Sequence, residues 1–194
     1  MQNLRLFLAI DIPSEIREEL TKIQNHFKSL SLSASWVRPG NIHLTLKFLG
    51  NTEPEKIPQI VETMNTCVGS IAPFSLSLTE VGGFPNLNQP RVLWVGLADS
   101  QGFLVSAQKN IDQNLSRLGY DADNKPFFPH LTLARIKSPK GRQGIKEKIA
   151  SLNMDETKPF CISSIKLYKS DLTPRGAIYT SLHEFNINPS GTHH

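Results

Sequence analysis

Two histidines of this sequence begin the same pattern of four residues. His43-Leu44-Thr45-Leu46 recurs as His130-Leu131-Thr132-Leu133. On a β-strand, residues two apart point to the same side, so each copy presents an imidazole and a hydroxyl together while its leucines face the other way. A neutral imidazole accepts a proton, a protonated one donates it, and threonine hydroxyls donate hydrogen bonds to charged oxygens. Two such strands facing each other are therefore suited to phosphate diester chemistry.

The surroundings of the two motifs also match. A proline stands four residues before each histidine, as Pro39 and Pro126, and a basic residue precedes each proline, as Arg38 and Lys125. Taken alone, either motif is typical of an ordinary half-buried strand with a structural histidine. The recurrence of the motif with matched flanks favours one shared active site.

Each motif lies in one copy of an internal repeat. Two copies argue for two lobes related by a pseudo-twofold axis, because a solenoid needs three or more units. Such an axis places equivalent residues on opposite walls of one cleft. Three landmark pairs share nearly one offset, which is 87 residues for the histidines and 86 for the others: His43 and His130, Arg5 and Arg91, and Phe74 and Phe160.

Hydrophobic periodicity predicts strand, helix, strand, helix, strand in each copy. We expect one two-lobed domain over residues 1–186, with copies at about 5–86 and 91–172, and a tail at 187–194 that resembles an added expression remnant. Residues 81–90 contain two glycines and two prolines, which predicts a loop. The predicted strands are 5–12, 42–49, 74–78, 91–97, one each beginning near 130 and 159, and a last strand at 177–185; the predicted helices are 14–30, 54–68, 104–118 and 144–152.

Composition limits the class of protein. The chain has 194 residues, a formal net charge of +4 and a pI near 9.1, which mildly favours an anionic partner such as a phosphate ester or RNA. Its two cysteines, Cys67 and Cys161, form neither a disulfide framework nor a zinc motif, so a reducing cytoplasm fits best. No apolar run approaches the roughly 20 residues of a membrane span. We expect a cytoplasmic monomer without a membrane segment.

The sequence also predicts that no metal or cofactor takes part. Neither His43 nor His130 has a carboxylate at ligand spacing beside it, so a zinc or two-metal site is disfavoured. The chain contains no GxSxG elbow, phosphate-binding P-loop or dinucleotide-binding GxGxxG motif.

The roles predicted for three residues that follow the motifs depend on how strictly the side chains of each strand alternate between its two faces. Strict alternation turns Arg135 away from His130, and Arg135 reaches a bound phosphate only if the strand ends or bulges near Ala134. Alternation places Lys47 on the face of His43, where a solvated lysine is expected. It places Phe48 on the core face, so Phe48 is predicted first as core and second as a base-stacking residue.

Two aromatic residues near the start of the second copy are further candidates. Phe84 and Trp94 lie near the start of the second copy, and an aromatic side chain in a nucleic-acid site can stack on a nucleobase. The alternative is ordinary packing, which is the usual role of an aromatic residue in or beside a strand.

The motifs and their flanks resemble the 2H phosphoesterase superfamily. Within it, the chain is similar to the bacterial and archaeal RNA 2′,3′-cyclic phosphodiesterases, also called 2′-5′ RNA ligases. The resemblance runs from about residue 5 to 185. It rests on the paired His-x-Thr-x motifs and on four flanking segments: Arg5-Leu6-Phe7-Leu8-Ala9-Ile10-Asp11, Trp36-Val37-Arg38-Pro39, Lys47-Phe48-Leu49-Gly50 and Pro129-His130-Leu131-Thr132-Leu133-Ala134-Arg135.

The resemblance implies a metal-independent reaction and a bilobal α+β fold, in which two pseudo-twofold-related lobes of antiparallel sheet plus helices surround a central cleft. It implies hydrolysis of an RNA 2′,3′-cyclic phosphate to a 2′-phosphate and, in reverse, a weak 2′-5′ ligation. By this pattern His43 is the general acid and His130 the general base, while Thr45, Thr132 and Arg135 hold the phosphate. Two alternatives remain open: another 2H enzyme acting on a small cyclic nucleotide or ADP-ribose cyclic phosphate, and a non-catalytic RNA-binding module.

Overall fold

Antiparallel strands and helices build the molecule, which confirms the predicted α+β, two-lobed fold. The computed structural model describes residues 2–154, 157–174 and 176–187, so most of the predicted tail at 187–194 lies outside the described residues. The strands are β1 (Leu4–Asp11), β2 (Ala34–Trp36), β3 (His43–Thr52), β4 (Phe74–Phe84), β5 (Val92–Ala98), β6 (His130–Ile136), β7 (Phe160–Ile162), β8 (Ser164–Thr173) and β9 (Gly176–Asn186).

The α-helices of the described residues bury apolar side chains in the core. They are α1 (Ser14–Lys28), α2 (Ile57–Gly69), α3 (Phe103–Arg117) and α4 (Ile145–Ala150). The three longer ones bury them at helical spacing, as α1 does with Ile16, Leu20, Ile23 and Phe27. Each fully buried side chain of this kind contributes roughly 1.5–3 kcal/mol to stability through the hydrophobic effect. None of the helices within the described ranges is long and apolar enough to cross a membrane.

The sheet exchanges strands between the two copies of the repeat. Its order is β7-β4-β5-β6-β3-β1-β8-β9, with β2 added beside β6. Strand β4 ends the first copy but pairs with β5 of the second, and β8 ends the second copy but pairs with β1 of the first. The motif strands β3 and β6 meet at the centre, where Leu44 is opposite Leu131. Each half of the sheet is therefore completed by chain from the other copy.

Strand β3 contains a β-bulge at Leu46, the last residue of its motif. Strand β1 pairs Ala9 with Thr45 and Leu8 with Lys47, which leaves Leu46 without a partner on β1. An extra residue of this kind reverses the alternation of side chains beyond it. The predictions for the next two residues were therefore wrong: Lys47 is 2% exposed instead of solvated, and Phe48 is 64% exposed instead of core.

Strand β6 carries the same irregularity at the equivalent place. Strand β5 pairs Trp94 with Thr132 and Leu93 with Ala134, so Leu133 has no partner there. The seven residues of each strand from its histidine onward share one burial pattern, in which the sixth is exposed. That residue is Arg135 in β6 and Phe48 in β3.

Other differences from the predicted elements are local. The predicted loop at 81–90 was partly wrong, because β4 continues through Phe84 and pairs with β5 up to Val92. The short strand β2 and the long strand β8 were not predicted.

The buried Lys47 ammonium joins β3 to the chain that leads into β6. Its Nζ donates to the Asp112 carboxylate on α3 and, at 2.7 Å, to the carbonyl of Asp121; the Asp123 carboxylate lies 3.7 Å away. A buried ammonium is tolerated only when it is paired and hydrogen-bonded in this way. The network thus fixes the segment before His130 against the first motif strand.

We expect Lys47→Met to lower the free energy of unfolding by about 1–2 kcal/mol. The loss is below that of a fully buried pair because the Asp112 and Asp123 side chains are 17% and 50% exposed and regain water contacts. Urea unfolding measures the change. The matched control is Lys22→Met, whose ion pair with Glu19 is exposed on α1 and should contribute under about 0.5 kcal/mol. Equal losses in the two variants would contradict the structural role of Lys47.

Candidate functional site

A cleft of about 720 Å³ lies where the two motif strands meet. It contains both motif histidines, both motif threonines, Arg135, Phe48 and Phe84. Of the residues predicted for the site, Trp94 alone does not line it. The remaining lining residues come from both copies and from the last strand, β9: Arg5, Phe7, Val37, Asn41, Ile42, Val92, Ser170, Leu172, Ala177 and Tyr179.

The two imidazoles are held in the same way by backbone carbonyl groups. The Nδ1 atom of His43 lies 2.8 Å from the carbonyl oxygen of Asn41, and the Nδ1 atom of His130 lies 2.7 Å from that of Phe128. A carbonyl oxygen only accepts, so each Nδ1 carries a hydrogen and donates it. In the neutral ring, Nε2 is then the basic atom, and in the protonated ring it is an acid. Each histidine therefore has one defined atom for proton exchange.

Aromatic rings surround His43. The centroid of Phe7 lies 4.9 Å from that of the imidazole, and Tyr179 packs edge-on at 5.2 Å. Burial disfavours the imidazolium and lowers the pKa of His43, although the Asn41 carbonyl and the charge of Asp11 partly oppose this. In the free protein, His43 therefore favours its neutral form more than an ordinary histidine does.

His130 has its own aromatic neighbours. Phe84 packs edge-on at 5.0 Å between ring centroids, with Phe128 at 6.2 Å and Trp94 at 6.4 Å. Trp94 is 7% exposed and lies over Gly82, where a Cβ atom would come within 2.2 Å of the indole. Trp94 thus packs behind His130 and does not line the cleft. Phe84 packs against His130 and also lines the cleft.

Asp11 makes the two histidines unequal. It is opposite His43 in the β1–β3 pairing, and its carboxylate accepts hydrogen bonds from Lys166 at 2.8 Å and from Tyr168 at 2.6 Å. Burial alone would raise the pKa of Asp11, but these hydrogen bonds and the Lys166 charge hold it below its usual value. Asp11 is therefore a stable negative charge near His43. The residue opposite His130 in the β5–β6 pairing is the uncharged Gly96.

We expect Asp11→Asn to lower the pKa of His43 further, because the variant removes the negative charge that favours the imidazolium and leaves only the Asn41 carbonyl to oppose the effect of burial. An NMR titration of the His43 ring protons should show the midpoint at lower pH than in the wild-type protein. Glu19→Gln on the exposed face of α1 is the control and should leave the His43 midpoint unchanged. An unchanged His43 midpoint in Asp11→Asn would rule out this electrostatic link.

Arg135 faces the cleft because of the bulge at Leu133, which meets the condition that the sequence set for it. Its side chain lines the same cleft as Thr132. Phe48, which alternation assigned to the core, occupies the corresponding position beside Thr45. The cleft therefore carries an arginine on one wall and an exposed aromatic ring on the other.

Three lining residues with side chains suited to binding were not predicted from the sequence: Arg5, Phe7 and Tyr179. The repeat gave no usable signal for Phe7, because its counterpart in the β5–β6 pairing is Val92, which was not a predicted site residue. Tyr179 gave no such signal, since it lies in the last strand, beyond the two copies of the repeat. Among the described residues, no group of three or more His, Cys, Asp or Glu side chains is arranged to hold a metal ion.

Comparison with known families and proteins gives one consistent result. A model of the LigT-like phosphoesterase family matches twice, at residues 10–94 and 95–179. A Methanocaldococcus jannaschii protein named RNA 2′,3′-cyclic phosphodiesterase is 40% identical over 182 residues, which cover 94% of this chain and 100% of that protein. A Methanothermobacter thermautotrophicus protein of the same name is 32% identical, covering 95% of this chain and 99% of that protein.

Solved structures resemble the fold over nearly its whole length. The protein TT0787 of Thermus thermophilus superposes with a TM-score of 0.79 at 29% identity, covering 95% of this chain and 98% of that one. Escherichia coli LigT complexed with 3′-AMP superposes with a TM-score of 0.75 at 28% identity, covering 96% of this chain and 99% of that one.

Proposed function

Because the chain belongs to the LigT-like phosphoesterase family, within the 2H phosphoesterase superfamily, we propose that it hydrolyses RNA 2′,3′-cyclic phosphate ends to 2′-phosphates. The observation that carries the proposal is the pair of His-x-Thr motifs lining one cleft, each with its imidazole Nε2 available for proton exchange. The names of the relatives support the choice of RNA as substrate.

The proposed reaction needs one base and one acid. His130 Nε2 takes a proton from water, whose oxygen attacks the phosphorus, and the bond from phosphorus to the 3′ oxygen breaks. His43 Nε2 gives its proton to that oxygen, which leaves a 3′-hydroxyl and a 2′-phosphate. Thr45 and Thr132 donate hydrogen bonds to the non-bridging oxygens, and Arg135 balances their charge. With a 5′-hydroxyl in place of water as the nucleophile, the same displacement yields a 2′-5′ linkage.

The assignment of acid and base has one opposing and one supporting observation. The lowered pKa of His43 in the free protein disfavours the protonated form that the acid needs. A bound phosphodiester is negatively charged and raises that pKa, since an opposite charge within a few ångströms favours the imidazolium. Asp11 acts in the same direction, and its counterpart opposite His130 is the uncharged Gly96. The asymmetry around Asp11 therefore supports His43 as the acid.

Phe48 is the proposed stacking residue for the terminal nucleobase. Its ring is 64% exposed at the cleft, which is costly for an apolar side chain unless a ligand covers it. Phe84 is a second candidate, because it lines the cleft beside His130. Trp94 is not proposed for this role, because it is buried behind Phe84 and His130 and does not line the cleft.

The test uses a short oligoribonucleotide with a 2′,3′-cyclic phosphate end, with and without a chelator. We expect hydrolysis in both conditions, with ³¹P NMR showing a 2′-phosphate as the product. Cyclic nucleotides and ADP-ribose cyclic phosphate without attached RNA form the comparison panel. Faster turnover of those small compounds would favour the other 2H branch. Salt-dependent RNA binding without any product would instead support a binding module.

A further inference from the structure

Two buried glutamines occupy equivalent places on the first helix of each copy. Gln24 on α1 is 1% exposed and Gln108 on α3 is 6% exposed. Each sits inside an otherwise apolar stripe, where a polar side chain is costly unless it is hydrogen-bonded. The two stripes match at an offset of 84 residues: Leu20, Ile23, Gln24 and Phe27 on α1, and Leu104, Ala107, Gln108 and Ile111 on α3.

The Gln24 amide donates to the backbone at the bulge of β6. Its Nε2 lies 2.9 Å from the carbonyl oxygen of Leu133 and 2.8 Å from that of Val37. Leu133 is the residue that β5 leaves unpaired, and its carbonyl oxygen also accepts the Val37 N–H at 2.9 Å. At the bulge, the Leu133 carbonyl oxygen therefore accepts two hydrogen bonds, one from the Gln24 side chain and one from the Val37 backbone.

The Gln108 amide performs the same task at the bulge of β3. Its Nε2 lies 3.3 Å from the carbonyl oxygen of Leu46, the residue that β1 leaves unpaired. The same amide lies 3.3 Å from the Asp123 carboxylate, which belongs to the Lys47 network. Each glutamine therefore supports the motif strand of the other copy.

The two bulges decide which side chains enter the cleft. Without the extra residue, strict alternation would turn Ala134 toward the cleft in place of Arg135, and Lys47 in place of Phe48. A bulge persists only if its unpaired backbone groups find partners, because an unsatisfied buried carbonyl costs the full desolvation of that group.

We propose that Gln24 and Gln108 are positioning residues for the reaction, Gln24 acting through the β6 bulge on Arg135 and Gln108 through the β3 bulge on Phe48. This inference rests on the proposed function for its kinetic readout but not for its structural one. It assigns neither glutamine a contact with substrate.

Double-mutant cycles on kcat/KM for the cyclic-phosphate RNA test the proposal. Gln24→Met keeps the volume and removes both donated hydrogen bonds, and we expect a loss of about tenfold. In an Arg135→Ala background, the same change should cost less than about threefold, because the residue through which it acts is already gone. Gln108→Met should couple with Phe48→Ala in the same way and add independently to Arg135→Ala. Full additivity of Gln24→Met with Arg135→Ala would overturn the proposal.

The control variant is Ile23→Val, the apolar neighbour of Gln24 on α1. It should lower the Tm while leaving kcat/KM within about twofold of wild type. A comparable loss of kcat/KM in Ile23→Val would mean that any disturbance of α1 affects the site, and the specific role of Gln24 would fail.

A second measurement does not depend on turnover. Amide hydrogen exchange at residues 133–136 should accelerate at least about tenfold in Gln24→Met, while exchange in β8 stays unchanged. If the wild-type protein does not turn over the RNA, the proposed function fails while this measurement still decides the present inference. If Gln24→Met does not fold, Gln108→Met and exchange at residues 46–49 provide the same decision. Unchanged exchange at the bulge would overturn the inference.

Discussion

Replacing either His43 or His130 with alanine should lower kcat/KM for the cyclic-phosphate RNA by about 10³-fold, because each variant removes one of the two proton-transfer groups. Loss of both should be little worse than loss of either, since the acid and the base act as a unit. Single-turnover assays under saturating enzyme measure the effect on the chemical step.

Circular dichroism and thermal unfolding must show that these variants fold. His183→Ala is the matched control, because His183 lies on β9, packs against Phe185 and is not among the cleft residues. It should retain wild-type kcat/KM. Activity within a few-fold of wild type in both His43→Ala and His130→Ala would refute the two-histidine mechanism.

Thr45→Val and Thr132→Val should each lower kcat by about 10²-fold with a much smaller change in KM. Valine keeps the branched shape of threonine and removes only the hydroxyl. The hydroxyls are proposed to donate to non-bridging oxygens as negative charge accumulates on them, so their loss falls mainly on the transition state. Steady-state kinetics with the RNA substrate separate the two parameters.

Thr66→Val on α2 is the control for these changes, because the Thr66 hydroxyl donates to the Glu62 carbonyl, at 3.2 Å, on an exposed helix face. It should leave kcat and KM unchanged. A rise in KM at constant kcat in the cleft variants would instead mean that the threonines bind substrate and transition state equally.

Much of the site follows from period-two alternation in a repeated motif. His43 and Thr45 share a face with each other and lie opposite the buried Leu44, as the sequence predicts, and the same holds for His130 and Thr132. The constant offset between the copies predicted two facing lobes because equivalent residues of a twofold repeat face each other across the axis.

The bulges could not be predicted from the sequence, and the errors at Lys47 and Phe48 follow from that. A bulge depends on whether its backbone carbonyl finds partners, and these partners include Gln24 and Gln108 on distant helices. Lys47 is buried only because Asp112 lies within reach after folding, 65 residues further along the chain. Such long-range partners leave no trace in local periodicity.

The order in which the strands pair could also not be predicted from the sequence. Two similar copies are compatible with a last strand that stays in its own half or crosses to the other, because both arrangements bury the same apolar face. The crossing of β4 and β8 is set by how the whole sheet closes.

That crossing has a consequence for folding and for motion. A chain cut at residues 86–91 would give two fragments in which β4 loses both of its neighbours, β5 and β7, and β1 loses β8. Neither fragment should therefore acquire stable structure except in the presence of the other. The intact chain should unfold in one cooperative transition instead of lobe by lobe. Because these strands also connect the two copies through hydrogen-bonded pairs, we expect no hinge closure of one lobe on the other. The substrate should then enter a cleft whose width is established during folding.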